Sequence, residues 1–224
     1  MYPNTGIFPP MKIGFLGAGS VAQALGRAFV AAGHEVRISS REPGSAKLQA
    51  WLGEVGPHAQ AVSFAEAAHF GEIVIPAVQP WTILKPLLDA IGPESFAGKT
   101  VIDLGNAVDW SVRPPRQAIP DGSLGEHVQQ WLPASRVVKT LNMIAAARMA
   151  HPQYASGTPT LLIAGNDPSA KAQVQALLGQ IGWSDLVDVG DIRQSRLLEA
   201  FMMTCLFTEF ATKARGGAFA FLRG

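Results

Sequence analysis

The run Gly17-Ala18-Gly19-Ser20-Val21-Ala22 constrains this chain more than any other feature, because it joins a strand to a helix. Lys12 to Leu16 reads as a short β run. The helix that follows extends to about Ala32, where Gly33 offers a C-cap. The order G-x-G-x-x-A at such a junction gives each small residue a task. The first glycine permits a tight turn, the second lets backbone approach a diphosphate, and the small third residue lets the helix pack closely. The helix N-terminus then presents unpaired amides to an anion, which is worth ~0.3–2 kcal/mol from the dipole alone. An ordinary glycine-rich turn would match the bare pattern; its place at the start of a β-α-β unit is what favours a dinucleotide.

The rest of the chain keeps that alternation. Strands are expected at Val36 to Ser39, Ala59 to Val62, Glu72 to Ala77, Thr100 to Leu104, Val137 to Leu141, Thr160 to Ile163 and Leu186 to Val189. Helices are expected at Ala46 to Leu52, Trp81 to Ile91, Leu124 to Leu132 with Ser123 as N-cap, Asp167-Pro168 to about Ile181, and Ile192 to about Ala214. Short continuous apolar strands between helices mark a parallel sheet covered on both faces. The fold class is therefore α/β: a Rossmann-type, doubly wound, mainly parallel sheet with a small C-terminal extension and a long terminal helix. Gly105 to Asp121 breaks the rhythm with Trp110, Arg113, Pro114, Pro115, Arg116 and Pro120, and is expected to be one long functional loop. Residues 1–10, with three prolines and no periodicity, read as a disordered extension. Residues 11–141 form the dinucleotide-binding part and 142–224 a β-α-β-α portion that completes the pocket.

About twenty residues beyond the glycines, the tip of the second strand should meet the adenine ribose. An enzyme built for NAD places a carboxylate there, whereas this chain has Ser39-Ser40-Arg41. Serine hydroxyls and a guanidinium suit a 2′-phosphate, each charge-assisted bond contributing about 1.5–3 kcal/mol. The tip therefore favours NADP. Lys47 could reach the same phosphate, and Glu42, one place too late, should turn outward. A plain exposed turn arginine is the competing account of Arg41.

Composition removes several other classes. Eighteen Lys and Arg against seventeen Asp and Glu, without a long run of either sign, leave no electrostatic footprint for nucleic acid or an anionic membrane. No window offers the ~18 uninterrupted apolar residues of a membrane span. The single cysteine, Cys205, can make no internal disulfide, so a cytoplasmic setting is expected. The five histidines, His34, His58, His69, His127 and His151, lack metal-ligand spacing, and no metal is expected. Neither Tyr2 nor Tyr154 is followed by lysine at the Tyr-x-x-x-Lys interval, and too little chain remains for a separate helical domain carrying a catalytic lysine. No catalytic acid or nucleophile emerges. Hydride transfer between two ring cofactors needs orientation and exclusion of water more than a protein acid, so the sequence is compatible with a reductase whose second reactant is itself a redox cofactor.

Several segments together resemble the family of NADP oxidoreductases that use the deazaflavin coenzyme F-420. They are Gly17 to Ala22, Ser39-Ser40-Arg41, Ala77-Val78, Asp103 with Asn106, Val137 to Ile144, Gly190-Asp191-Ile192 and Ser195 to Glu199, spread over Lys12 to Phe210. The cytosolic domains of membrane metalloreductases look similar. The resemblance implies that Gly17, Gly19, Ser20 and Val21 hold the diphosphate and Ser40 and Arg41 the 2′-phosphate; Ala18, within the turn, and Ser39 and Lys47, beside the strand tip, join the expected nucleotide-binding set from their positions. Ala77, Val78 and Asn106 would face the ribose and nicotinamide. Asn142, Met143 and Ile144 would form the pocket for the second ring, a deazaflavin or a flavin; archaeal members look to have histidine at the place of Asn142. Turn chemistry at a strand end is the alternative account of Asn106 and Asn142. An NADPH-binding sensor without turnover is the alternative function. The terminal helix, apolar almost all round, is buried either in its own domain or in the homodimer that the resemblance implies.

Overall fold

The computed structural model describes residues 9–224, so the first eight residues of the expected extension lie outside the described part. The first half runs β1 (Lys12–Leu16), α1 (Ser20–Ala31), β2 (Glu35–Ser39), α2 (Ala46–Val55), β3 (Ala59–Val62), α3 (Phe64–Phe70), β4 (Ile73–Pro76), α4 (Leu84–Ile91) and β5 (Thr100–Asp103). The second half runs β6 (Val108–Asp109), β7 (Arg116–Gln117), α5 (Leu124–Trp131), β8 (Arg136–Lys139), β9 (Leu161–Gly165), α6 (Pro168–Gln180), β10 (Leu186–Asp188) and α7 (Ser195–Thr212).

Two parts of the chain differ from the sequence expectation. The helix α3 was not foreseen because it is too short to show a period, yet its start carries a capping box. The Glu66 amide donates to Ser63 Oγ at 3.3 Å and the Ser63 amide donates back to Glu66 Oε2 at 2.8 Å. The segment Gly105 to Asp121 is not one open loop, since β6 and β7 pair antiparallel within it. Strands of two residues leave no alternation to read.

One eight-stranded sheet has the order β10-β9-β8-β5-β4-β1-β2-β3. Its pairs are parallel except β8 with β9. The strands read as unbroken apolar runs because alternate residues serve two cores. Ile73 and Ile75 pack with Phe15, Phe29 and Leu25 on the face covered by α1, α2 and α6, whereas Val74 packs with Leu88, Phe96 and Val128 on the face of α3, α4 and α5. Each such side chain contributes roughly 1.5–3 kcal/mol by leaving water. The chain leaves β1 toward one face and β4 toward the other, so a crevice opens between the carboxyl ends of these neighbouring strands. Among the described residues no helix is long and apolar enough to cross a membrane.

Candidate functional site

The glycine turn lies at that crevice, and its two glycines answer to different demands. Gly17 has φ of 124°, and a Cβ there would overlap the Ala77 carbonyl oxygen and come within 3.3 Å of Val78 Cγ1. The fold itself requires glycine, and the same contact brings Gly17, Ala77 and Val78 together. Gly19 is extended and N-caps α1 without any side-chain cap, and a Cβ there would meet nothing within 4 Å. Open space thus faces the uncapped first turn at Ser20 and Val21, which is where a phosphate needs room and amides. Ala18 is half-buried, and Ala22 is fully buried under the helix as the third small position expects. The residues present fit a dinucleotide phosphate.

At the tip of β2 the neighbouring serines part company. Ser39 is fully buried; its hydroxyl donates to the Phe15 carbonyl at 2.8 Å and accepts the Gly17 amide at 3.1 Å. Ser40 is half-buried, and its Oγ accepts the Glu42 amide at 3.1 Å. Arg41 is exposed beside it, Lys47 is exposed in the first turn of α2, and Glu42 is exposed as expected of a side chain turned outward.

At the ends of β5 and β8 two asparagines grip one another. Asn106 Nδ2 donates to the Asn142 carbonyl at 2.8 Å, and Asn142 Nδ2 donates to Asn106 Oδ1 and to the Leu198 carbonyl of α7, both at 2.9 Å. Leu141, just before, holds a left-handed φ of 59° that turns the chain into this pair. Asn142 is buried, as are Met143 and Ile144, which pack in the core with Leu141, Met149 and Leu198. Asn106 is the more open member of the pair.

Beside this pair lies a constellation whose members stand in three separate segments of the sequence. Lys139 is fully buried, and its Nζ donates to Asp103 Oδ2 at 2.9 Å, Glu199 Oε1 at 2.8 Å and the Gly105 carbonyl at 2.5 Å. Asp103 Oδ1 in turn accepts the Gly105 amide at 2.9 Å, and Glu199 Oε1 accepts the Gly125 amide at the start of α5, at 3.2 Å. Burial works against the ammonium, but the charges of Asp103 and Glu199 outweigh it and hold the lysine above its ordinary pKa. The signal in the sequence was a lysine inside the apolar run Val137-Val138-Lys139, which demands buried carboxylates elsewhere in the chain.

Two further groups are accounted for structurally. His34 Nδ1 accepts the Met11 amide, so its Nε2 is the atom that donates to Gln180 Oε1; burial holds its pKa below the usual value, against the pull of that bond. Burial also pushes the Cys205 thiol up to about 11, so it stays protonated and unreactive. Among the described residues no group of three or more His, Cys, Asp or Glu is placed to hold a metal ion.

Comparison with known proteins places these features in context. Residues 12–107 match the family model described as NADP oxidoreductase, coenzyme F-420-dependent. The chain is 28% identical over 217 residues to the F-420-dependent NADP reductase of Methanocaldococcus jannaschii, covering 92% of this chain and 96% of that one. A crystal structure from an Arthrobacter species, provisionally assigned as an F-420-dependent NADP reductase, superposes with a TM-score of 0.88 at 35% identity, covering 95% of this chain and 100% of that one. Pyrroline-5-carboxylate reductase 2 of Pongo abelii is 28% identical over 188 residues, which are 80% of this chain and 52% of that longer one.

Proposed function

Because the chain belongs to the family of coenzyme F-420-dependent NADP oxidoreductases, we propose that it transfers hydride between NADP(H) and a deazaflavin of the coenzyme F-420 type. Bound NADPH supplies the hydride, and the acceptor ring takes it together with one proton from solvent. The observation that carries the reading is the pairing of an uncapped, open helix start at Gly19 with the Ser40-Arg41 tip across the β1 and β2 ends. On this reading residues 11–141 hold the nucleotide. The amides of Ser20 and Val21 bind the diphosphate, with Gly17 and Ala18 shaping the turn. The hydroxyl of Ser40 and the cations of Arg41 and Lys47 read the 2′-phosphate. Ala77, Val78 and Asn106 border the nicotinamide. Residues 142–224 complete the far wall, where Asn142 fixes the amide of Asn106 while Met143 and Ile144 support it from the core. The acceptor ring rests against the open side of the asparagine pair. The chain's contribution to rate is then positioning and exclusion of water.

The test is direct. Calorimetry should give tighter binding of NADPH than of NADH, and stopped-flow oxidation of NADPH should accelerate with deazaflavin more than with FMN, FAD or ferric chelates. The variant S40D/R41A is expected to lower the NADPH-to-NADH affinity ratio at least tenfold, about 1.4 kcal/mol, because it replaces an attraction for the 2′-phosphate by a repulsion. An unchanged ratio would remove the strand tip from the site.

We assign the outward face of α7 to a second copy of the chain. Phe210 and Phe207 are 56% and 39% exposed there with ring centroids 5.8 Å apart, beside Met203 and Ala211, an apolar patch of the kind that a second copy covers. Sedimentation should report a dimer, and F207D/F210D a monomer; a monomeric parent chain refutes the assignment.

A further inference from the structure

We infer that Ser39 is a positioning residue, whose buried hydroxyl sets the glycine turn for the diphosphate and takes no part in reading the 2′-phosphate. The inference rests on the nucleotide reading above and divides the labour within it. Ser39 and Ser40 are adjacent in sequence, so at a strand tip their side chains point to opposite sides. The register places Ile38 of β2 against Phe15 of β1, and Ser39 reaches across to the end of that neighbour. A hydroxyl has one proton and two lone pairs. Ser39 gives its proton to the Phe15 carbonyl and one lone pair to the Gly17 amide, and the side chain has no exposure to solvent. A phosphate is recognised by donors, and this hydroxyl has none left.

What the bond does is hold the one amide whose orientation the turn depends on. Gly17 lies between the last residue of β1 and the open start of α1, in a left-handed conformation that only its surroundings maintain. With the Gly17 amide drawn toward β2, the following amides are free to point outward into the space before Gly19. Ser40 is different: its Oγ accepts from the Glu42 amide and keeps its own proton, next to Arg41. Ser39 therefore serves the part of the ligand that NADPH and NADH share, and Ser40 the part that separates them.

Calorimetry on the full chain with NADPH, NADH and 2′-AMP tests this. Ser39→Ala leaves the Phe15 carbonyl and the Gly17 amide buried without partners, so it should weaken NADPH and NADH by the same factor, about tenfold, with their ratio and the affinity for 2′-AMP unchanged. Ser40→Ala should weaken NADPH and 2′-AMP and spare NADH. If Ser39→Ala does not fold, as judged by thermal denaturation, Ser39→Cys serves in its place; its thiol keeps the size but donates poorly, and the two dinucleotides should again weaken together. A change in the NADPH-to-NADH ratio on altering Ser39 would show that it reads the phosphate, and unchanged affinity for both would show that the strut is idle; either result overturns the inference alone. Failure of the parent chain to bind any of the three probes would sink the nucleotide reading and the inference with it.

Discussion

Lys139→Met is expected to be the most damaging single substitution in this chain, lowering the unfolding free energy by about 3–5 kcal/mol in chemical denaturation, because it removes the one cation from a pair of buried carboxylates. Asp103 and Glu199 lie on different elements and meet only through that ammonium. Without it their charges are close together and screened from water, and the Gly105 carbonyl loses its donor as well. The triple change D103N/K139M/E199Q should recover much of the loss, since uncharged groups of similar volume remove the uncompensated charge. If the single variant unfolds at the same denaturant concentration as the parent chain, the ion cluster contributes nothing to folding. Since typical domains are stable by only 5–15 kcal/mol, on the order of the predicted loss, poor yield at growth temperature is an additional expected result.

The two glycines of the turn should fail in different ways when each is replaced by alanine. At Gly17 the added methyl meets the Ala77 carbonyl oxygen and the backbone sits at a positive φ, so Gly17→Ala should cost roughly 1–3 kcal/mol of stability from backbone strain, and nucleotide binding with it. At Gly19 the methyl enters open space on an extended backbone that any residue adopts, so Gly19→Ala should leave the melting temperature nearly unaltered. Its effect should appear only with ligand present, as a loss of NADPH affinity of about tenfold or more, because the methyl stands where the diphosphate needs contact with backbone. Thermal denaturation with and without NADPH measures both. Equal melting temperatures for the two variants, or full NADPH affinity in Gly19→Ala, would contradict the division.

The succession of strands and helices along the chain and the place of the glycine turn were legible because both rest on local patterns. Continuous apolar runs flanked by helices announce a sheet buried on two faces, and the turn announces itself by spacing. The strand tip was legible in composition but not in detail, since Ser39 and Ser40 look alike in sequence and differ only in what surrounds them. Asp103, Lys139 and Glu199 were visible singly, yet their meeting spans up to 96 positions, and charge partners at that separation follow from the fold and not from periodicity. The helix α3 and the ribbon of β6 and β7 escaped because a seven-residue helix and two-residue strands are too short to carry a pattern.

The distance between Lys139 and Glu199 along the chain also has a temporal meaning. During synthesis the lysine is made while only Asp103 is available to neutralise it, and the second carboxylate emerges from the ribosome some sixty residues later. The strands up to β8 can therefore assemble early, whereas the wall beside Asn106 and Asn142 closes only when the last helix arrives. A polypeptide cut short before that helix would keep the glycine turn and lose the floor under Asn106.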